Sequence, residues 1–472
     1  MNEFRFSDLV AATGATLIEG DPSTVLTGVS TDTRSLKDGQ VYVALSGPNF
    51  DGNKFATEAL SRGAGALLLR SETTRVLDLG NAGSGTPVAL HPSPRKALGT
   101  FAAWHRDRLT IPVVAITGSC GKTTTKNILL ELLQDHLVAV GSPASFNNDI
   151  GVPHTLMLAD TKAEALIVEM GTNSPGEISE LCQIAKPTAG ILTNVGASHL
   201  EGLGSVEGVA KEKGALVASL PSDGFCVLNA DCRFTDSLRK TTKARVITFS
   251  VDGDGDLNAT DVWFHGGGTT FKLNDRYEIT SPLLGLHTVQ NLLAALGACV
   301  GMGLSLQSVL PAVSRLKTDR RRMERIELGG LTLFDDSYNA NPDSALASVR
   351  VLTGLHGHAR RVLVLGEMLE LGDLAAELHH QVGAAAAAAG VDMLMLIGDL
   401  TRATAAGAID AGMPADCVLH MANVESAIEI VPGLLRDGDV VLVKASRAAR
   451  LERLVSTLRE ACAEPIGQLQ GF

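Results

Sequence analysis

One stretch constrains the chain more than any other: Val113-Val114-Ala115-Ile116-Thr117-Gly118-Ser119-Cys120-Gly121-Lys122-Thr123-Thr124-Thr125-Lys126. The apolar run Ile111 to Ile116 is short and has no helical period, as expected of a strand packed on both faces. Gly118 and Gly121 let the backbone turn sharply and approach a ligand closely. Ile128-Leu129-Leu130-Glu131-Leu132-Leu133 then suits a helix. Strand, glycine turn and helix start together form a cradle for phosphate oxygens, held by loop amides and the positive helix end. In such a loop Lys122 reaches the β/γ-phosphates and the Thr123 hydroxyl coordinates Mg²⁺. The common pattern has a further glycine where Ile116 stands. A plain strand–helix turn is the rival reading, and the strand and helix on either side favour the phosphate loop.

A chain of 472 residues is too long for one ordinary core, so two or three domains are expected. No apolar run is long enough to span a bilayer. Met1-Asn2-Glu3-Phe4-Arg5-Phe6-Ser7-Asp8 lacks the basic-then-apolar build of a secretion signal, and a cytoplasmic location is expected. The seven cysteines are scattered and form no Cys-x-x-Cys pair, which argues for reduced thiols over disulfides or structural zinc. A formal charge of −12 disfavours a nucleic-acid binder. An anionic substrate would need its cations concentrated in a site, and Arg34, Lys122, Arg322, Lys444 and Arg447 are candidates.

Residues 1–100 make the first unit. Phe6 to Gly14 reads as a short helix with a Ser7 cap and a glycine stop. Strands are expected near Val25–Val29, Gln40–Leu45, Ala64–Leu69 and Pro87–Leu90, with a Gly/Ser/Asn loop from Asp78 to Thr86. Ser30-Thr31-Asp32-Thr33-Arg34 and Ser46 to Gly52 are polar loops at strand ends, where ligand contacts and ordinary turns are both possible. In the second unit, 101–315, strands alternate with helices, which implies a parallel, doubly wound sheet. Its strands Leu137–Val140, Ala165–Val168 and Ala189–Thr193 lead into polar segments containing Asn147, Asn148, Glu169 and His199. Ligands of such sheets bind beyond the carboxyl strand ends, so Glu169 and His199 are candidates for metal contact near the loop. Residues 251–280 read as antiparallel around Gly266-Gly267-Gly268, before a helix Leu292 to Val300. The third unit, 316–472, opens with Arg320-Arg321-Arg322 and reads as a second Rossmann-like α/β domain.

Several of these stretches together resemble the Mur ligases of peptidoglycan synthesis. Ile116 to Thr124 is similar to their ATP loop, which lacks the first glycine. Phe146-Asn147-Asn148-Asp149-Ile150-Gly151-Val152-Pro153, Asp335-Asp336-Ser337-Tyr338-Asn339-Ala340-Asn341-Pro342, Gly366 to Gly372 and Leu442 to Arg447 resemble the member that adds D-alanyl-D-alanine to the UDP-N-acetylmuramoyl tripeptide. The matches run in order from Ser30 to Glu452.

The resemblance implies three α/β domains: an N-terminal UDP-binding domain, a central ATPase and a C-terminal Rossmann-like domain. It implies that Gly118, Ser119, Cys120, Gly121, Lys122, Thr123 and Thr124 hold ATP. Two Mg²⁺ would be held by Thr123 and Glu169 and by His199 with a carbamylated lysine, which is Lys213 or, as the weaker match, Lys211. His287 and Asn291 match the adenine stretch, with Thr288 where the family usually has Asn. Asp336 matches the ribose contact. Arg322 matches an arginine near the γ-phosphate, with Arg321 in place of the usual glycine, and Ala445 replaces a common glycine. Ser30, Thr31, Asp32, Arg34 and Ser46 resemble the UDP-sugar site, Asn147 and Asn148 peptide contacts, and Tyr338, Asn339 and Asn341 contacts to D-alanyl-D-alanine. The expected activity is amide-bond formation through an acyl phosphate by a monomer that neither enters membranes nor binds nucleic acid. Its rivals are a sister ligase adding diaminopimelate or lysine, a folyl-polyglutamate type, and a nucleotide-binding scaffold without catalysis.

Overall fold

Short apolar runs bounded by glycines and polar loops become the buried strands of three separate sheets, each covered by helices. The computed structural model describes residues 3–71, 85–355, 357 and 359–463. Most of the expected Asp78–Thr86 loop, and the side chain of Cys462, lie outside the described residues.

The central sheet has nine strands. Their order is Ala139–Gly141, Ala165–Glu169, Val113–Thr117, Ala189–Leu192, Phe225–Asn229, Arg245–Ser250, Leu257–His265, Gly268–Leu273 and Tyr277–Ser281. Pairing is parallel as far as Leu257–His265 and antiparallel in the closing hairpins. The strand before the phosphate loop explains its own composition. Val114 and Ile116 pack on one face with the helices Lys122–Leu133 and Leu286–Gly301. Val113 and Ala115 pack on the other with Gly151–Leu158, Glu177–Ala185 and Val206–Ser219. A pleated strand sends alternate side chains to opposite faces, so covering both requires an unbroken apolar run. Each buried Val or Ile contributes about 1.5–3 kcal/mol. An aspartate at Ile116 would therefore both lose that term and bury an unpaired charge.

The C-terminal sheet runs Glu324–Leu328, Leu331–Asp336, Asp439–Lys444, Arg360–Gly366, Met393–Ile397 and Val418–Met421, with an antiparallel first strand. Its register places Asp336 opposite Lys444 at the carboxyl ends of neighbouring parallel strands. The N-terminal sheet runs Thr16–Glu19, Val88–His91, Ala66–Arg70, Val41–Val43 and Val29–Ser30. The helix Pro94–Arg106 spans two clusters: Ala97, Leu98 and Phe101 join the N-terminal core, and Ala102 the central one.

Several expectations are corrected. The helix Phe6–Thr13 is not capped by Ser7; the Arg5 amide donates to the Asp8 carboxylate at 2.9 Å. Its glycine stop holds, with Gly14 at φ 69°. The single strand expected at Val25–Val29 is two, because one piece pairs with Phe4–Arg5 and the other with Val41–Val43. Thr16–Glu19 is a strand that the sequence does not advertise, being an edge strand with mostly exposed side chains. The strand expected at Leu137–Val140 begins at Ala139. The helix expected from Leu292 begins at Leu286, taking His287 and Asn291 into its first turns. Among the described residues no helix is long and apolar enough to cross a membrane.

Candidate active site

The phosphate-loop turn is built by contacts that exclude any larger residue. A Cβ on Gly118, at φ 154°, would stand 1.9 Å from Thr193 Oγ1, and one on Gly121, at φ 80°, would stand 2.2 Å from Asn291 Oδ1. Gly121 thus brings the loop against the helix that carries His287 and Asn291. Asn194, after the next strand, supports the turn by accepting from the Ser119 amide at 3.1 Å and the Cys120 amide at 2.9 Å. The helix starting at Lys122 has no side-chain cap. Its first amides have no partner within the helix and stay available to an anion. The Lys122 ammonium donates to Gly118 O at 2.7 Å. Burial pulls its pKa down, opposed chiefly by Glu169.

Glu169 ends its strand 1% exposed. One carboxylate oxygen accepts from Asn147 Nδ2 at 2.9 Å, while Oε2 is buried without a hydrogen bond. The Lys126 ammonium lies 3.9 Å from that oxygen. Lys213 is fully buried, its Nζ has no hydrogen-bond partner, and burial presses its pKa down to about 7. Lys211 is exposed. Glu169 Oε2 and Lys213 Nζ are thus both buried without a hydrogen-bond partner, and a hard cation takes oxygen ligands, which a lysine supplies only once it is made anionic. As free side chains they do not form a ready metal cluster: among the described residues no three His, Cys, Asp or Glu side chains are grouped to hold one. His199, at φ 52°, pairs instead through Nδ1 with Glu370 of the C-terminal sheet unit at 2.5 Å, leaving Nε2 open.

The C-terminal unit closes over the loop. The Tyr338 hydroxyl donates to Ser145 Oγ at 2.8 Å, and Ser145 in turn bonds Thr123 Oγ1 at 3.2 Å. Arg322 donates to the same Thr123 oxygen at 3.0 Å and stacks over the Tyr338 ring at 4.1 Å. Asn341 caps the helix Pro342–Gly354 and touches Cys120 Sγ. Asp336 accepts from Lys444 at 2.6 Å and from Ser348 at 2.8 Å, and Lys444 also donates to Asn339 O at 3.1 Å. Arg321 adopts φ 61°, the left-handed conformation that suits a glycine. The Tyr338 amide, donating to Arg321 O at 3.1 Å, and Glu324, accepting from the Arg321 amide at 3.1 Å, hold that turn.

These side chains line one cavity of about 860 Å³. It gathers Ser119 through Thr124, Asn147, Asn148, Glu169, His199, His287, Asn291, Arg322, Asp336, Tyr338, Asn339 and Asn341. His287 is half-buried with its Nδ1 buried and unpartnered, and desolvation lowers its pKa to about 4, so the ring is neutral. Gly118 and Lys213 do not line it. Ser30, Thr31, Asp32, Arg34 and Ser46 are not brought into this cavity. Arg34 pairs with Asp32 at 2.6 Å, and Ser46 donates to Asp51 at 3.0 Å. Thr31 Oγ1 lies 3.1 Å from His154 Nε2, on the helix that follows Asn147 and Asn148. Sequence reasoning missed Ser145, Asn194 and Glu370. Ser145 precedes the Phe146–Pro153 motif directly and Glu370 lies inside the Gly366–Gly372 motif, and neither carries a local signal for its interdomain partner.

Family profiles match the central and C-terminal units. The family profile "Mur ligase middle domain" matches residues 116–299, and "Mur ligase, glutamate ligase domain" matches 321–447. The UDP-N-acetylmuramoyl-tripeptide–D-alanyl-D-alanine ligase of Escherichia coli is 36% identical, over 92% of this chain and 94% of that protein. The chain belongs to the Mur ligase family. The Bacillus subtilis enzyme of the same name is 32% identical, over 93% of this Mur ligase and 94% of its own length. Among solved structures, MurF from Acinetobacter baumannii superposes with a TM-score of 0.88 at 26% identity, covering 98% of this chain and 99% of that one. MurF ligase from Thermotoga maritima in complex with ADP gives 0.80 at 27% identity, covering 92% and 97%. The three-unit α/β architecture of this Mur ligase is the one those structures share.

Proposed function

We propose that this Mur ligase joins D-alanyl-D-alanine to the UDP-N-acetylmuramoyl tripeptide, consuming ATP and releasing ADP and phosphate in peptidoglycan precursor synthesis. The observation that carries this reading is the placement of Asp336 to Asn341 against the phosphate loop, through Tyr338 to Ser145 and Asn341 to Cys120, in one cavity. The units are assigned as 1–100 for UDP-sugar binding, 101–315 for ATP and 316–472 for the incoming dipeptide.

A carboxylate is a poor acyl donor. Its oxygen attacks the γ-phosphorus, the bond to ADP breaks, and the acyl phosphate that forms is then attacked by the dipeptide amine, expelling phosphate. Carboxylate and triphosphate repel each other, and Lys122 and Arg322 offset that repulsion from opposite sides. Lys122 is released from Gly118 O to the phosphates, while Arg322 is held for them by stacking on Tyr338. The neutral His287 and Asn291 face the base, and Asp336 faces the ribose. Thr123 and Glu169 would hold one Mg²⁺, and His199 with carbamylated Lys213 a second; bound there, the ions neutralise phosphoryl charge. A lysine pressed to about 7 is largely an amine at slightly alkaline pH, the form that carbon dioxide converts to a carbamate. Asn147, Asn148, Tyr338, Asn339 and Asn341 orient the two peptides. Ser30, Thr31, Asp32, Arg34 and Ser46 hold the UDP-sugar, and Thr31 touching His154 links their loops to the peptide side. A monomer suffices, since one chain carries every residue invoked.

Incubation with UDP-muramyl tripeptide, ATP, Mg²⁺ and D-alanyl-D-alanine is expected to yield the pentapeptide by mass analysis. An unchanged tripeptide with folded enzyme would overturn the reading, and a product formed with diaminopimelate instead would transfer it to a sister ligase.

A further inference from the structure

Lys126 is 1% exposed and takes no part in the proposed reaction steps. It follows Lys122 by one helical turn, so both ammonium groups project from one face of the same helix. Lys122 reaches Gly118 O in the phosphate loop, and Lys126 reaches the segment after the strand Ala139–Gly141. The Lys126 Nζ donates to Ser142 O at 2.7 Å and also to Ala144 O, and it lies 3.9 Å from Glu169 Oε2. Ser142 accepts from the Glu169 amide through Oγ at 3.0 Å. Ala144 sits at φ 44°, a left-handed conformation unfavourable for a residue with a Cβ. A buried ammonium is costly to desolvate and persists only where its donors are used. Here two of them are spent on the carbonyls flanking Pro143, and the Glu169 carboxylate 3.9 Å away balances the charge without a hydrogen bond.

The residues just beyond those carbonyls give the lysine its consequence. Ser145 bridges Thr123 and Tyr338. Asn147 bonds the other oxygen of Glu169, and its carbonyl accepts from the Gly171 amide at 2.7 Å. Asn148 Oδ1 accepts from the Ile150 and Gly151 amides at the start of the helix Gly151–Leu158. Segment 142–148 therefore carries contacts to the phosphate-loop helix, to the buried carboxylate and to the C-terminal unit.

We infer that Lys126 is a positioning residue for the peptide substrates: it fixes segment 142–148 in register with Thr123 and Glu169, so that Ser145, Asn147 and Asn148 face the reacting ends. The phosphate-loop turn has further supports of its own, Asn194 accepting from the Ser119 and Cys120 amides and Thr193 donating to Cys120 O. This assignment rests on the ligase reading for its kinetic test, and hydrogen exchange tests it without turnover.

The experiment compares wild type with Lys126→Met, which keeps length without charge, and Lys126→Arg, which keeps charge with different reach. Full-length proteins are assayed for KM and kcat with each substrate, for ADP affinity by calorimetry, and for amide exchange. For Lys126→Met, KM for the UDP-muramyl tripeptide is expected to rise about tenfold or more, with kcat reduced less and ADP affinity within about threefold of wild type. Amides of 142–151 are expected to exchange faster while those of 125–133 do not, and Lys126→Arg to show a smaller rise in KM. Unchanged KM and exchange in Lys126→Met would overturn the inference, as would equal losses of ADP affinity and of exchange protection throughout the phosphate-loop helix. Should Lys126→Met not fold, Lys126→Arg decides: a raised tripeptide KM with normal ADP affinity supports the role, and wild-type KM refutes it. If wild type fails to turn over, the ligase reading fails, and the exchange pattern still decides whether Lys126 fixes the segment.

Discussion

The central cleft and the N-terminal loops, both assigned to anionic ligands, are built in opposite ways. In the central unit that carries the cleft, buried polar atoms lack hydrogen-bond partners: Glu169 Oε2, Lys213 Nζ and His287 Nδ1. In the N-terminal loops the polar groups satisfy one another near the surface. Arg34 pairs with Asp32 and pulls the Asp32 pKa down to about 2, and Ser46 bonds Asp51. An unsatisfied buried group has already met its desolvation cost during folding, so a ligand that completes it gains nearly the full interaction. An exposed ion pair contributes little and has to be exchanged for the ligand's contacts. The cleft is thus prepared at the expense of stability, whereas the N-terminal loops already hold their shape through their own hydrogen bonds.

This contrast is broken most sharply at Lys213. Lys213→Met is expected to lower kcat by about a thousandfold, the scale of losing a preorganised charged group, and yet to raise the melting temperature. The sign is set by a folded pKa of about 7 below the usual 10.5. Below pH 7 both folded and unfolded chains carry the proton and the burial penalty is complete; it fades as pH rises from about 7 to 10.5. The stabilisation by methionine should therefore be greatest at pH 7 and below in bicarbonate-free buffer, read by calorimetry. A lower melting temperature in the variant would end the idea that the site is held ready at a cost.

His287 offers the next test. Unfolded it takes a proton near 6.5, folded only near 4. Between those values the unfolded chain binds more protons, so stability is complete above pH 6.5 and is lost as pH falls through 4. About 1.4 kcal/mol accompanies each pH unit of separation, giving a loss of roughly 3 kcal/mol by pH 4. Denaturant titrations of wild type and His287→Gln across this window should diverge by that amount, and parallel curves would contradict it.

Tyr338→Phe removes only the hydroxyl that reaches Ser145. A single neutral hydrogen bond contributes about 0.5–1.5 kcal/mol, so kcat/KM should fall about three- to tenfold with ADP affinity unchanged. An equal loss of ADP affinity would mean that the tyrosine serves the phosphate loop and not the dipeptide side. The smallest effect is expected in the N-terminal loops: Arg34→Ala should raise KM for the UDP-tripeptide about threefold or less in 0.15 M salt, with kcat and melting temperature unchanged. A drop comparable to that of Lys213→Met would erase the distinction between the two regions.

Legibility tracked contiguity. Gly118 to Thr124 stands out in the sequence because strand, turn and helix are adjacent and the constraints are local, and Glu169 and His199 line the same cavity as Ser119 to Thr124 because parallel strands deliver their carboxyl ends to one edge. The start of the helix at Leu286 was missed because His287, Thr288, Gln290 and Asn291 interrupt its apolar pattern and Gly285, at φ 105°, opens it without a capping side chain. Thr16–Glu19 was missed because an exposed edge strand shows little alternation. The choice between Lys211 and Lys213 as the buried lysine was open in sequence, since both lie on one helix and only packing separates them.

By itself the sequence determined the chemistry class of the central unit and the order of three α/β units, because strand patterning and turn glycines act over a few residues. The tertiary structure alone decided which groups remain unpaired. It placed Glu370 beside His199, Tyr338 beside Ser145, and the Lys126 ammonium between two carbonyls and Glu169. Burial and hydrogen-bond completion depend on neighbours far away in the chain, and no local pattern records them.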